Sequence, residues 1–135
     1  MAIYLSNGVV VTLNSVALSD HVTMATINRT FTELSVTAMG DSAEKFVKGL
    51  ENSTISLDFL SDTAASNVNE TLQAAWGTTV PLTLKQTDAA VSATNPLYST
   101  TVLVNNTQDI NGAPGDIASQ SITFTCNSPI VITTS

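Results

Sequence analysis

The run 37-TAMGDSAEKFVKGLENSTISLDF-59 decides how this chain is read. Its second half is the cleanest alternating strand in the sequence. Ile55, Leu57 and Phe59 point one way, and Thr54, Ser56 and Asp58 point the other. Its first half reads as a long polar loop, punctuated by Gly40 and Gly49 and carrying Asp41, Glu44, Lys45, Lys48 and Glu51. A loop so long and so charged, in a small and charge-poor protein, is expected to do more than connect. The expectation is that it reaches out to another copy of the same chain.

At 135 residues the chain is expected to form one domain, 1–135, large enough for a core without staples. Charged residues are 11% of it, against about 25% in an ordinary soluble domain. Hydroxyls replace the missing charge, with 15 Ser and 21 Thr. Such a surface suits a protein packed against neighbours, and equally an all-β domain whose outward strand positions favour Thr. The net charge of -7 argues against gripping nucleic acid, which takes clusters of Lys and Arg, and the chain has only 4. A like-charged wall would still let DNA pass without sticking. The single Cys126 allows no internal disulfide, and no stretch approaches the roughly 20 apolar residues of a membrane helix. The start MAIYLSNG lacks the basic and apolar regions of a signal peptide. The Asn-x-Ser/Thr matches at Asn28, Asn52, Asn69 and Asn105 read as chance in a chain so rich in these residues.

Working outward, short strands are expected at 9–13 and 16–18, then an extended stretch from Val22 to Ala38. Its apolar parity switches between Phe31 and Leu34, which predicts a bulge or tight turn near Thr32–Glu33. After the alternating strand comes one helix, Ala64–Trp76. Ser61, Asp62 or Thr63 would cap its start and Gly77 its end. Ala65, Val68, Leu72, Ala75 and Trp76 form its apolar stripe. Further strands are expected at 80–86, 97–104, 119–126 and 130–132, separated by a polar linker at 87–96 and a turn-rich loop at 105–116. The class is mainly β: a sandwich or part-barrel with one helix packed on it.

Catalytic groups are sparse. His21 has no second His or Cys pair for a metal, and reads as a turn cap with Asp20 merely its neighbour in sequence. Cys126 reads as a small buried hydrophobe. No phosphate loop, carboxylate pair or calcium loop stands out, so no enzymatic activity, cofactor or metal is expected.

The run NRTFTELSVTAMGDSAEKFVKGLENSTISLDFLSD, at 28–62, resembles the core of the tail tube (major tail) proteins of long-tailed bacteriophages. The matching positions are Val36, Thr37, Gly40, Asp41, Gly49, Leu50 and 53–59, followed by the helix. The resemblance covers about half the chain by motif and most of it by element order. It implies hexameric rings stacked into a tube in the tail of a virion, each subunit's sheet joining its neighbours' in one continuous barrel. DNA would pass through the channel without specific binding, and the tape measure and terminator proteins would be further partners. No membrane partner is expected.

On that reading Asp41, Glu44, Lys45, Phe46 and Lys48 are the ring-stacking candidates. Asn28, Arg29, Thr30, Glu33, Thr54, Ser56 and Asp58 are the lumen-facing candidates, and the channel is expected to be net negative. The rival readings are a capsid decoration protein and a monomeric β-sandwich that binds a ligand between loops 87–96 and 105–116.

Overall fold

A computed structural model of the protein describes residues 8–64, 67–108 and 110–134. Its strands are β1 (Val10–Leu13), β2 (Val16–Ala17), β3 (Val22–Asn28), β4 (Phe31–Ser35), β5 (Phe46–Glu51), β6 (Thr54–Leu60), β7 (Thr79–Lys85), β8 (Leu97–Leu103), β9 (Ser119–Cys126) and β10 (Val131–Thr133). One helix, α1 (Val68–Ala75), lies between β6 and β7. The main sheet has the order β2-β1-β7-β8-β9-β6-β3, with β10 sharing an edge of β8 with β9. β4 and β5 form a separate two-stranded sheet.

Alternation builds the core. β6 buries Ile55, Leu57 and Phe59, β7 buries Val80, Leu82 and Leu84, and β9 buries Ile122 and Phe124. These side chains meet Val11 and Leu13 of β1 across the curled sheet, and Val68, Leu72 and Ala75 of α1 close the open side. Full burial of a large apolar side chain contributes about 1.5–3 kcal/mol, so this one cluster supplies most of the drive to fold. The sheet does not close on itself: β3 pairs only with β6, and its outer edge is free among the described residues.

The opposite face carries the polar partners of each buried residue. Met24, Thr26 and Asn28 lie beside Asp58, Ser56 and Thr54, which lie beside Ser121, Thr123 and Thr125. The Ser56 and Thr123 hydroxyls are 3.1 Å apart. This face is a hydroxyl surface, interrupted by Asp58 and Lys85.

The structure corrects several expectations. The presumed loop 37–52 contains β5, so the stretch is a hairpin arm whose tip alone is irregular. The extended stretch is two strands, broken at Arg29–Thr30, and the bulge falls at Thr32 as the parity switch predicts, where the β4–β5 register slips between Phe31 and Glu33. Gly49 sits opposite that slip. A Cβ there would lie 2.5 Å from the Thr32 carbonyl oxygen, so only glycine allows the strands to approach this closely. The helix is shorter than its apolar pattern. It begins after Asn67, and Asp62 instead caps the preceding turn by accepting the Ala64 N–H at 2.9 Å. It ends before Trp76, which leaves the stripe and stands 54% exposed. Gly77, at φ +76°, makes the left-handed exit expected of it. Ala65 of the predicted stripe lies outside the described residues.

The 87–96 linker is clasped rather than loose. Buried Asn95 accepts the Thr87 N–H at 3.2 Å and donates to the carbonyls of Thr87 at 3.3 Å and Ala89 at 2.9 Å.

Candidate functional site

The arm extends the β3–β6 ladder beyond the body. At its root Asn52 N–H donates to the Thr30 carbonyl at 2.8 Å, and the Thr30 hydroxyl donates to Asn52 Oδ1 at 2.7 Å. Antiparallel register then sorts its side chains. Leu34 and Val47 share one face, while Glu33 with Lys48 and Ser35 with Phe46 share the other. The Lys48 ammonium lies 5.8 Å from the centre of the Phe31 ring. Phe31, Leu34, Val36, Phe46 and Val47 are each about half exposed, and Met39 and Leu50 more so. The apolar groups occupy both faces, and the described residues of the body cover neither.

The tip is built, not slack. Asp41 accepts the Ala38 N–H at 2.8 Å and pairs with Lys45 at 3.0 Å. The backbone donor first and then the lysine hold the Asp41 carboxyl below its ordinary range. Thr37 Oγ1 accepts the Lys45 N–H at 2.9 Å. At the root, Glu51 accepts the Ile130 N–H and the Ser53 hydroxyl, each at 2.9 Å, and these bonds lower its pKa. The Glu51 carboxylate thereby ties the arm to the segment entering β10.

Of the stacking candidates, Phe46 and Lys48 lie on β5, while Asp41, Glu44 and Lys45 lie in the tip before it. Of the lumen candidates, Asn28, Thr54, Ser56 and Asp58 come together on the hydroxyl face. Glu33 does not join them, because it lies on the arm opposite Lys48. Arg29 and Thr30 sit at the bend. Arg29 lines a groove of about 440 Å³ with Val9, Ala25, Ile27, Leu84, Tyr98 and Ile132, so its placement is toward the inner side of β3.

His21 is more than a turn cap. Its ring nitrogens lie 2.8 Å from Asp20 Oδ1 and 2.7 Å from Asp62 Oδ2, and only the protonated ring can donate to both. Asp20 first and Asp62 second therefore raise its pKa. Asp62 is shifted down, by the Ala64 N–H and then by His21. Asp62 stands 41 residues from His21, and nothing in the sequence links them. The trio fastens two segments together and lines neither the groove at Arg29 nor the hollow at Asn111. Cys126, half-buried against the core, has its thiol pKa pushed up by burial. Among the described residues no group of three His, Cys, Asp or Glu could hold a metal, and no helix is long and apolar enough to cross a membrane.

No protein-family model matches the chain, and no curated protein matches its sequence. Solved structures do. A chain of the virion of the native gene transfer agent (GTA) particle superposes with a TM-score of 0.78 at 12% identity, covering 97% of this chain and 99% of that one. The two chains share one fold. A chain from the tail of the empty GTA particle, refined with C6 symmetry, gives 0.68 at 13% identity over 84% and 82% of the two chains. A chain of the six-fold symmetrised baseplate of the anti-feeding prophage (AFP) gives 0.60 at 8% identity over 99% and 97%. The likeness to these virion and tail chains therefore extends, as a fold, over nearly the whole chain, well beyond residues 28–62.

Proposed function

We propose that this chain is the subunit of a tail tube in a virion, polymerising as stacked hexameric rings around a channel through which DNA passes. The observation that carries the reading is the arm: an ordered hairpin with large apolar side chains on both faces and no cover from its own body. An isolated two-stranded hairpin is marginal in water, and exposed apolar patches of this kind mark contact surfaces. The free edge of β3 supports the same reading, since joining sheets across subunits removes an edge that would otherwise invite aggregation.

In this proposal Asp41, Glu44, Lys45, Phe46 and Lys48 contribute to contact between rings. Asn28, Thr54, Ser56 and Asp58 face the channel, with Arg29, Thr30 and Glu33 at its rim. A wall of hydroxyls broken only by Asp58 and Lys85 offers a polyanion no cluster of cations to bind, and tape measure and terminator proteins would be its other partners. Negative-stain images of the purified chain test the reading. Tubes are the expected outcome, and deletion of residues 42–48 should leave folded subunits that do not polymerise. Isolated monomers from the intact chain, or normal tubes from the deletion, would overturn it.

A further inference from the structure

Acids outnumber bases in this chain by 11 to 4, so a base without an acid is not short of candidates. Yet of the Lys and Arg side chains only Lys45 makes an ion pair among the described residues, with Asp41. Lys48 lies over the Phe31 ring, and the Lys85 ammonium donates to the Ala89 carbonyl at 3.2 Å. Arg29 meets no carboxylate among the described residues. Glu51 feels its charge through space, but the Glu51 hydrogen bonds go to the Ile130 N–H and the Ser53 hydroxyl.

Two of these bases share one groove. Arg29 lines it just past β3, with Ala25 and Ile27 on the same wall, Lys85 and Leu84 flank it at the end of β7, and Ile132 bounds it from β10. The groove exists because the sheet does not close: β3 ends the strand order, and the curl brings its inner side chains to face β7 without pairing to it. Ala25 and Ile27 are already half-buried against the core. No Asp or Glu among the described residues lines this groove. The hollow of about 400 Å³ beside exposed Ile110 and Ile117 is its opposite, lined by Asp116 and by no base.

We infer that the groove at Arg29 binds an amphipathic anion, a short alkyl chain along the apolar walls with its carboxylate toward Arg29 and Lys85. Its volume of about 440 Å³ falls within the roughly 300–1,000 Å³ of small-molecule sites, which pair apolar walls with a few convergent polar groups. The alkyl chain extends the core outward, and each methylene that leaves water adds to affinity. The cations do the selecting. A carboxylate gains charge-assisted bonds that a neutral head lacks, and a cationic head is repelled. A bare anion would use the bases and waste the walls. The site does not depend on the tail-tube reading, since the groove lies on the inner side of β3 and Thr26 and Asn28 lie on the other.

Calorimetry of the purified full chain with octanoate, octanol and octyltrimethylammonium tests this. Octanoate should bind saturably, one molecule per chain, about tenfold more tightly than octanol, and the ammonium should not bind. Arg29→Gln and Lys85→Gln should each weaken octanoate several-fold and leave octanol unchanged. Both positions keep some exposure, so the fold is preserved, which circular dichroism checks. Phe46→Ser, which strips an apolar side chain from the arm, should change neither ligand. No binding of octanoate, equal affinity for octanoate and octanol, or several molecules per chain would overturn the inference. So would octanoate binding that survives both groove substitutions and falls with Phe46→Ser, which would put the amphiphile on the bare arm. Tubes in micrographs are scored separately, so failure of the groove leaves the tube reading standing.

Discussion

β6 and β5 are near neighbours in sequence and opposites in fate. β6 buries every second residue, so Ile55, Leu57 and Phe59 lose their water to the body's core. β5 has Phe46, Val47 and Leu50 in almost as short a span, yet all three remain exposed. The difference is not hydrophobicity but whether the chain supplies a second layer. α1 and β1 roof β6, and none of the described residues roofs the arm. In the proposed tube, a strand with apolar groups on both sides would be half of an interface, its free energy realised when another copy arrives.

The comparison breaks most visibly through substitution of one aromatic in each region. Phe59→Ala should destabilise the subunit by about 3–5 kcal/mol in denaturant titrations, through lost transfer energy and the cavity left behind. Phe46→Ala should leave the same titration within about 0.5 kcal/mol, as exposed positions do, while abolishing tubes in electron micrographs. Equal losses of stability for the two would show that the arm packs on its own body after all.

Gly49→Val sharpens the contrast within the arm. Its branched side chain would press on the Thr32 carbonyl, so amide exchange across Phe46–Glu51 should quicken while that of β6 stays protected. A smaller, pH-dependent effect belongs to the body alone. Because folding raises the His21 pKa, its contribution is full below about pH 6.5 and fades as pH rises through the folded value. Because folding lowers that of Asp62, its contribution is full above about pH 3.8 and fades as pH falls through the folded value. Thermal melts should therefore show a plateau of stability between these limits, and His21→Asn should flatten the alkaline slope. The least effect is expected from Glu51→Gln, which keeps shape but weakens the bonds to Ile130 and Ser53. Exchange at Ile130 and the arm root should rise without a change in the global transition. A drop in global stability there would make the root part of the core.

The sequence was most legible where one face meets a core. Alternation at β6, β7 and β9 located those strands and their buried members, because the contrast between Leu57 and Ser56 is also a contrast in environment. It failed on β5 for the converse reason. In FVKGLE both faces are wet, so charges and a glycine sit among the apolar residues and imitate a loop. Trp76 was misplaced because periodicity continues past the point where backbone geometry stops the helix, one residue before the glycine. The resemblance in residues 28–62 pointed to the right fold, and it marked the tip of the arm. It did not mark Phe31 and Leu34, although the parity switch between them was already a sign of a strand without an inside. The Asp62 partner of His21 and the exposed Ile110 and Ile117 depend on distant segments meeting, which local pattern does not encode.

The clasp at Asn95 has a chemical consequence. Asparagines age by folding their side-chain carbonyl onto the following backbone nitrogen, which expels ammonia and leaves a carboxylate. Asn95 is followed by Pro96, whose ring nitrogen has no hydrogen to lose, so the clasp is barred from that route. Asn111, exposed and followed by the unhindered Gly112, has no such protection. Time would spare the clasped loop and write a new negative charge on the loop beside Ile110.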